Sequence, residues 1–210
     1  MQLPESLTAI SHSALESLST SQALNSWSTD LKEQLGYVTG LSKFISQTLS
    51  SDEELVQALP AMLAEESRCE QYRQRLSQLL ESCSDEMQGH RVLRQFRNRE
   101  MTYIAWRDFT ASWSLEQSLE HLSQLAEAMI FETYQWQYKA CCELWGTPTN
   151  AQGEAQPMLI IGMGKLGGGE LNFSSDIDMI FTYPENGKTP GAGRNIAKDQ
   201  IFNRLGKRHR

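Results

Sequence analysis

The chain has 210 residues, of which 40% are hydrophobic, and its formal net charge is −7. That hydrophobic fraction is typical of a globular protein and too high for a disordered one. The negative charge argues against a general nucleic-acid-binding protein, which usually carries a basic excess, although the total leaves room for a local basic surface. The strongest apolar run, MLIIGM at 158–163, is too short to span a bilayer.

The amino terminus has no basic segment followed by an apolar core, so no signal peptide is predicted. The cysteines do not show the paired spacing of a zinc site or a redox motif; they are Cys69, Cys83, Cys141 and Cys142. We therefore expect reduced, mostly buried thiols in a cytoplasmic protein that binds neither membranes nor nucleic acid.

Residues 1–146 are predicted to form a helical domain. Ser51 with Glu54, and Ser114 with Gln117, have the spacing of capping boxes. Apolar residues recur at intervals of three and four, which indicates the core faces of a helical bundle rather than a cofactor site. They are Leu76, Leu79, Leu80, Cys83, Leu93, Phe96, Met101, Ile104, Leu115, Leu119, Leu122, Leu125, Met129 and Ile130.

Four arginines lie close together in this helical region: Arg91, Arg94, Arg97 and Arg99. One interpretation is a solvated helix face whose arginines pair with neighbouring carboxylates. The other is a surface that meets an anionic partner or a nucleotide. The sequence does not decide between the two.

A glycine- and proline-rich linker at 147–157 separates the helical domain from a region with strand patterns, 158–210. The run PMLIIGM predicts a buried strand, DMIFTY at 178–183 predicts a second strand, and KDQIFNRLGKR predicts an amphipathic helix. The predicted fold class is therefore α+β and mostly α, with a helical leader followed by the start of a sheet domain.

Gly162, Gly164 and Gly167 form GxGxxG after the first strand, which is the pattern of dinucleotide-binding folds. Such a fold needs a crossover helix that leads back to a parallel strand. Only residues 170–175 separate the last glycine from Asp176, and six residues are too few for that crossover. A Walker A loop is also excluded, because leucine rather than serine or threonine follows Lys165.

The spacing fits instead a glycine-rich turn, a short helix, and an Asp-x-Asp pair entering a strand. Because residues i and i+2 of a strand share a face, Asp176 and Asp178 should project together while Ile177 and Met179 face the core. Two such carboxylates suit Mg²⁺, which typically binds to one or two protein carboxylates and to the phosphate oxygens of the substrate. The glycines at 167–169 would let the backbone approach those phosphates.

Simpler interpretations exist for the residues around this pair. Lys165 is either a surface lysine or a charge that offsets phosphate. Asn172 is expected to fix the loop by local hydrogen bonds, and Ser174 and Ser175 either cap the turn or contact phosphate.

The segment GMGKLGGGELNFSSDIDMIF closely resembles the signature of the glutamine synthetase adenylyltransferase/adenylyl-removing enzymes, which are polymerase-β-like nucleotidyltransferases. Other segments are similar to the same family over about residues 90–210: FRNREMTYIAWRDF at 96–109, LSQLAEAMI at 122–130, WGTP at 145–148 and DQIFNRLGKR.

The resemblance implies that Asp176 and Asp178 are catalytic ligands of Mg²⁺ or Mn²⁺, and that Gly167, Gly168 and Ser175 line the phosphate site. We add three residues of the same loop as candidates for nucleotide or phosphate binding: Lys165, Asn172 and Ser174. The implied reaction of this half is phosphorolysis of an AMP–tyrosine bond on glutamine synthetase, which releases ADP. The second half would catalyse the forward reaction with ATP.

A PII-type signalling protein and glutamine are the implied regulators. The family's third metal carboxylate lies on a later segment than Arg210, so we expect an incomplete transferase sheet and a chain that is inactive by itself. An alternative is a non-catalytic helical module that binds glutamine synthetase or a PII-type regulator.

Overall fold

The computed structural model describes residues 3–66, 68–150 and 152–184, together with the backbone of two short strands farther on. The predicted fold class, α+β and mostly α, is confirmed. The helices are α1 (Glu5–Leu18), α2 (Thr29–Leu41), α3 (Lys43–Ser51), α4 (Glu53–Ala64), α5 (Tyr72–Glu81), α6 (Glu86–Phe109), α7 (Leu115–Trp145) and the single turn α8 (Gly164–Gly167). The strands are β1 (Leu159–Gly162), β2 (Met179–Thr182), β3 (Lys188–Thr189) and β4 (Ile196–Ala197), and 3₁₀ turns occupy Gln22–Ser26 and Arg68–Gln71.

The chain forms two compact units. The first consists of Met1–Gln71 with Arg94–Leu125, and the second of Tyr72–Leu93 with Ala126–Arg210. Helices α6 and α7 therefore contribute residues to both units. The segment 147–157 lies between the end of α7 and the start of β1. Its role as a domain boundary stays a prediction. The predicted helix KDQIFNRLGKR lies outside the described residues.

Two buried tryptophans mark the core of the first unit. The rings of Trp27 and Trp106 meet edge to face at 5.9 Å. The Trp27 indole N–H donates to the Val56 carbonyl at 3.1 Å, and the Trp106 indole N–H donates to Gln34 Oε1 at 2.8 Å. Because both N–H groups have acceptors, the rings contribute their full apolar area without an unpaired polar group.

A buried ion pair joins helix α6 to the turn before α5. Glu100 is 2% exposed and accepts two hydrogen bonds from the Arg68 guanidinium, at 2.9 Å and 2.6 Å. Burial opposes the charge of Arg68, but the hydrogen bonds and charges of Glu100 and Glu65 raise its pKa above the ordinary value. The motif that resembles the family at 96–109 thus has a structural role within the first unit.

The start of α4 is fixed by an aspartate. The Asp52 side chain accepts from the Leu55 backbone N–H at 3.0 Å, so Asp52 is the N-cap of α4. The predicted cap at Ser51 is wrong, because Ser51 is the last residue of α3. Arg99 binds the Asp52 carboxylate at 2.7 Å and also contacts Glu54 at 2.8 Å. Burial would raise the pKa of Asp52, but the bonds from Arg99 and Leu55 prevail and lower it.

Arg99 therefore fits the interpretation of arginines paired with neighbouring carboxylates. Arg91, Arg94 and Arg97 are exposed and form no ion pair with any described residue. For these three arginines the two interpretations both stay open.

Six of the fourteen predicted helical core positions are buried, and six more are half-buried. The buried ones are Leu76, Leu80, Phe96, Ile104, Leu122 and Leu125. The expectation is wrong for Leu79 and Leu115, which are 43% and 64% exposed. Leu79 precedes the buried Leu80 by one residue, which turns it about 100° away from the core side of α5. Leu115 is the first residue of α7, where the reciprocal bonds of the capping box Ser114–Gln117 are confirmed at 2.9 Å and 3.3 Å.

In the second unit, the end of α7 packs against the strands. The buried residues Tyr134, Cys141 and Met158 form a cluster that is covered by Tyr138, Trp145, Ile160, Phe181 and Tyr183. The Met158 backbone N–H donates to the Tyr134 hydroxyl at 2.8 Å, and the Tyr138 hydroxyl donates to the Gln156 carbonyl at 3.1 Å. Burial raises the pKa of Tyr134 to about 12, against the opposing effect of the bond from Met158. At neutral pH this hydroxyl is uncharged.

Candidate active site

Strands β1 and β2 are antiparallel, with Gly162 opposite Met179 and Ile161 opposite Ile180. A dinucleotide-binding fold requires parallel strands joined by a crossover helix. The antiparallel pairing therefore confirms that the GxGxxG pattern of this chain does not belong to a dinucleotide-binding fold. The other described pairing, β3 with β4, is antiparallel as well.

One face of this small sheet is exposed. Ile160 and Phe181 pack against the cluster on α7, whereas Leu159, Ile161 and Ile180 are 51%, 47% and 48% exposed. The prediction of a fully buried strand at 158–163 is thus wrong for one face. The apolar run had suggested burial on both faces, but only one face packs against α7 in the described part of the chain.

The glycine-rich turn begins where β1 ends. The Met163 N–H donates to the Asp178 carbonyl at 2.9 Å, which extends the pairing of the strands by one bond. The turn then closes as the helical turn α8, in which the buried Leu166 packs beneath Gly162. The bond between Met163 and Asp178 places Asp178 directly beside the start of the glycine turn.

The predicted short helix lies in a different place. It was expected between the glycines and the acids, but α8 is formed by the glycine segment itself, and residues 170–175 form a turn. Asn172 explains the difference, because its side-chain oxygen accepts from the Ser175 hydroxyl at 2.6 Å and from the Ser174 N–H at 3.2 Å. Such local bonds compete with helix formation. The expectation that Asn172 fixes the loop is confirmed.

Gly167 is required by close packing of the backbone. A Cβ at this position would lie 2.6 Å from the carbonyl oxygen of Gly162, a backbone atom that has no freedom to rotate away. At the neighbouring Gly168, the nearest atom to a Cβ would be 3.7 Å away, and the backbone is in the right-handed helical region.

We therefore expect Gly167→Ala to open the turn, whereas Gly168→Ala should be tolerated. The cost at Gly167 is about 1–3 kcal/mol, the range for overpacking. Amide hydrogen exchange at Met163, whose N–H bonds Asp178, measures the opening directly. Faster exchange is expected in Gly167→Ala and unchanged exchange in Gly168→Ala; equal behaviour of the two variants would contradict the steric explanation.

Asp176 and Asp178 are both exposed and immediately precede β2, which begins at Met179. The prediction that the pair leads into a strand is confirmed. The prediction that Ile177 faces the core is wrong, because it is 38% exposed and lies before the paired residues of β2. Within the described residues no cluster of three or more histidine, cysteine, aspartate or glutamate side chains is arranged for a metal ion. The metal role of the two acids stays a prediction.

The backbone N–H groups of the turn are already engaged. Those of Gly167 and Gly168 donate to the carbonyls of Met163 and Gly164, at 3.3 Å and 3.1 Å. The Ser175 hydroxyl is bound to Asn172 as described above. Lys165 is exposed and has no ion pair with a described residue. Its ammonium group is therefore free to meet a ligand.

Sequence reasoning missed the residues that support this site. Leu166 anchors the turn beneath Gly162, and Tyr134 and Tyr138 hold the chain just before β1. The available signal was the spacing of the two tyrosines, which places both on one face of α7.

Comparison with known proteins identifies the family. The model of the family described as glutamate-ammonia ligase adenylyltransferase matches residues 32–210. The chain belongs to this family. A bifunctional glutamine synthetase adenylyltransferase/adenylyl-removing enzyme from Vibrio parahaemolyticus is 67% identical over 208 residues, which are 99% of this chain and 22% of the relative. The resemblance predicted from the glycine and aspartate segment is thereby confirmed.

Enzymes with the same name from two Shewanella species are also similar to this adenylyltransferase-family chain. The one from Shewanella woodyi is 47% identical over 177 residues (84% of this chain, 18% of the relative), and the one from Shewanella oneidensis is 44% identical over 188 residues (90% and 20%). The chain thus spans about a fifth of the length of these relatives.

Among the described residues, no helix has the length and apolar character that crossing a membrane requires. The four cysteines form no disulfide.

Proposed function

We propose that this chain supplies part of the adenylyl-removing site of a bifunctional enzyme that acts on glutamine synthetase. In the proposed reaction, an oxygen of inorganic phosphate attacks the phosphorus of an AMP–tyrosine bond. The bond from phosphorus to the tyrosine oxygen breaks, ADP leaves, and the tyrosine oxygen takes up a proton. The observation that carries the proposal is the bond between Met163 and Asp178, which brings the glycine turn and the acid pair together.

The chemistry of the acid pair fits a divalent ion. Asp176 and Asp178 offer hard oxygen ligands on an exposed segment. Mg²⁺ and Mn²⁺ prefer such ligands when phosphate oxygens complete their coordination. A bound ion would neutralise charge on the phosphorus oxygens.

The turn contributes space and one charge. The N–H groups of Gly167 and Gly168 already donate to carbonyls within the turn. The role of these glycines is therefore to leave space for the phosphate rather than to donate hydrogen bonds to it. Lys165 offers its ammonium group, and Asn172 holds Ser174 and Ser175 in the turn that leads to the acids.

The wider assignments rest on the family. ATP and ADP are the expected nucleotides, and glutamine synthetase is the expected protein substrate, with a PII-type protein and glutamine as regulators. The proposed location is the cytoplasm, where thiols such as these four cysteines stay reduced.

A chimera tests the proposal. These 210 residues replace the matching part of the Vibrio parahaemolyticus relative, which is 67% identical. The chimera is then given adenylylated glutamine synthetase and ³²P-labelled inorganic phosphate. Appearance of the label in ADP is expected. Release of unlabelled AMP would indicate hydrolysis instead, and no release from an otherwise folded chimera would overturn the proposal.

A second candidate is a non-catalytic helical module that binds glutamine synthetase or a PII-type regulator. The exposed arginines Arg94 and Arg97, which pair with no described carboxylate, favour it. This candidate requires the 210-residue chain to bind either protein in the presence of a metal chelator. Absence of binding in sedimentation experiments would count against it.

A further inference from the structure

One face of the β1–β2 sheet carries an exposed apolar surface. Leu159, Ile161 and Ile180 are 51%, 47% and 48% exposed, and Met163, just after β1, is 43% exposed. Soluble proteins seldom expose several large apolar side chains together, and such a surface usually marks the place where a ligand or a partner binds. The proposed function does not yet assign this surface.

The strand register places these side chains on the same side of the sheet. Leu159 pairs with Thr182, and Ile161 pairs with Ile180. Residues directly opposite each other in a sheet share a face, and so do residues two apart along a strand, so all four side chains lie on one side. The other side packs against the cluster on α7. The exposed side therefore stays open in the described part of the chain.

Asp178 lies at the end of the same side. The Met163 N–H donates to the Asp178 carbonyl at 2.9 Å, so the pairing of the strands continues for one residue beyond Met179. Asp178 is two residues before Ile180, and the alternation of the strand turns both side chains to the exposed side. The acid and the apolar surface are thus continuous, and the Asp178 carboxylate lies at one edge of that surface.

The apolar pairs lie at two distances from the acid. At about 3.4 Å per residue, the pair Ile161–Ile180 is about 7 Å along the strand from Asp178, and the pair Leu159–Thr182 is about 13 Å from it. None of these four side chains carries a charge. A charged phosphate or a hydrated sugar gains nothing from contact with such a surface, whereas an aromatic ring does.

In the proposed reaction, two rings are attached to the phosphorus that lies beside the acids. The tyrosine ring is joined to the phosphorus through a single oxygen atom, whereas the adenine base is separated from it by the ribose. The apolar pair next to Asp178 is therefore closer to the tyrosine ring than to the base. The position of the phosphorus beside the acids is part of the proposed function, on which this inference rests.

We propose that Ile161 and Ile180 bind the aromatic ring of the modified tyrosine and so select tyrosine as the residue from which AMP is removed. The ring lies on the exposed side of the sheet beside Asp178, with its oxygen directed toward the acids. These two isoleucines are then specificity-determining residues of the adenylyl-removing site.

Threonine variants of the chimera described above test the assignment. Ile161→Thr and Ile180→Thr keep the branched shape that suits a strand and remove the apolar end of the side chain. Each should slow the formation of labelled ADP from adenylylated glutamine synthetase about tenfold. Leu159→Thr is the matched control, because Leu159 has a similar exposure on the same side but lies two residues farther from the acid. It should slow the reaction less than about twofold.

Inhibition by ADP distinguishes the tyrosine ring from the adenine base, because ADP contains the base and not the ring. The inhibition constant of ADP should be the same in Ile161→Thr, in Ile180→Thr and in the parent chimera. A tenfold increase in that constant would assign the surface to adenine and overturn the proposal.

The melting temperature distinguishes a substrate contact from a covering segment of the full-length enzyme. An exposed surface predicts an unchanged Tm in all three threonine variants. A lower Tm in all three would mean that another segment covers the surface, and equal slowing by all three, or by none, would equally overturn the assignment. If the parent chimera formed no ADP, the proposed function itself would fail, and this inference with it.

Discussion

Replacing Asp176 or Asp178 by asparagine should lower the rate of phosphate-dependent ADP release by about a thousandfold, since a metal ligand contributes several kcal/mol to stabilising the transition state. Asparagine keeps the size of the side chain and removes the charge that a divalent ion requires. The measurement is single-turnover release of labelled ADP by the chimera described above. This prediction rests on the proposed function.

The chain offers a matched control for the loss of one negative charge. Glu170 is exposed and lies in the same loop, six residues before Asp176. Glu170→Gln should retain activity within about twofold, since a single exposed charge contributes well under 1 kcal/mol. If Glu170→Gln lost as much activity as Asp176→Asn, a general effect of charge would explain both results, and the acid pair would have no specific role.

Stability provides a second control. Because Asp176 and Asp178 are exposed, their replacement should leave the Tm unchanged. A thousandfold loss of activity together with an unchanged Tm would point to chemistry and exclude unfolding. Retained activity in both asparagine variants would remove the two acids from the proposed site.

The sequence predicted the glycine turn and excluded a crossover to a parallel strand because short-range geometry limits the alternatives. Six residues between Gly169 and Asp176 cannot form a crossover, so β2 has to run back beside β1. The reciprocal cap at Ser114 was predictable for the same reason, since both partners lie within one turn of helix.

Contacts between distant segments could not be predicted. The pairing of Arg99 with Asp52 spans 47 residues, and no local pattern indicates it. The exposed face of β1 was missed because an apolar run shows that a strand is hydrophobic but not which elements cover it.

The buried pair of Arg68 and Glu100 should dominate the stability of the first unit. Glu100→Gln is expected to lower the free energy of unfolding by about 3–5 kcal/mol, since it leaves the Arg68 charge in a buried place without its main partner. Urea-induced unfolding measures the loss when it is followed by tryptophan fluorescence, to which the buried Trp27 and Trp106 contribute. Glu100 lies within the motif at 96–109, so the variant also tests whether that motif is structural.

Glu65 provides the matched comparison, because it binds the same arginine from a more exposed place. Its carboxylate lies 2.9 Å from the Arg68 guanidinium, and its side chain is 35% exposed. Glu65→Gln should therefore cost less than about 1 kcal/mol, the usual contribution of a solvated pair. The double variant Arg68→Met/Glu100→Leu removes both charges and should recover part of the stability that Glu100→Gln loses. Equal losses in Glu65→Gln and Glu100→Gln would show that burial does not set the strength of this pair. If the double variant were less stable than Glu100→Gln, the ion pair itself, rather than the unpaired charge, would hold α6 to the turn before α5.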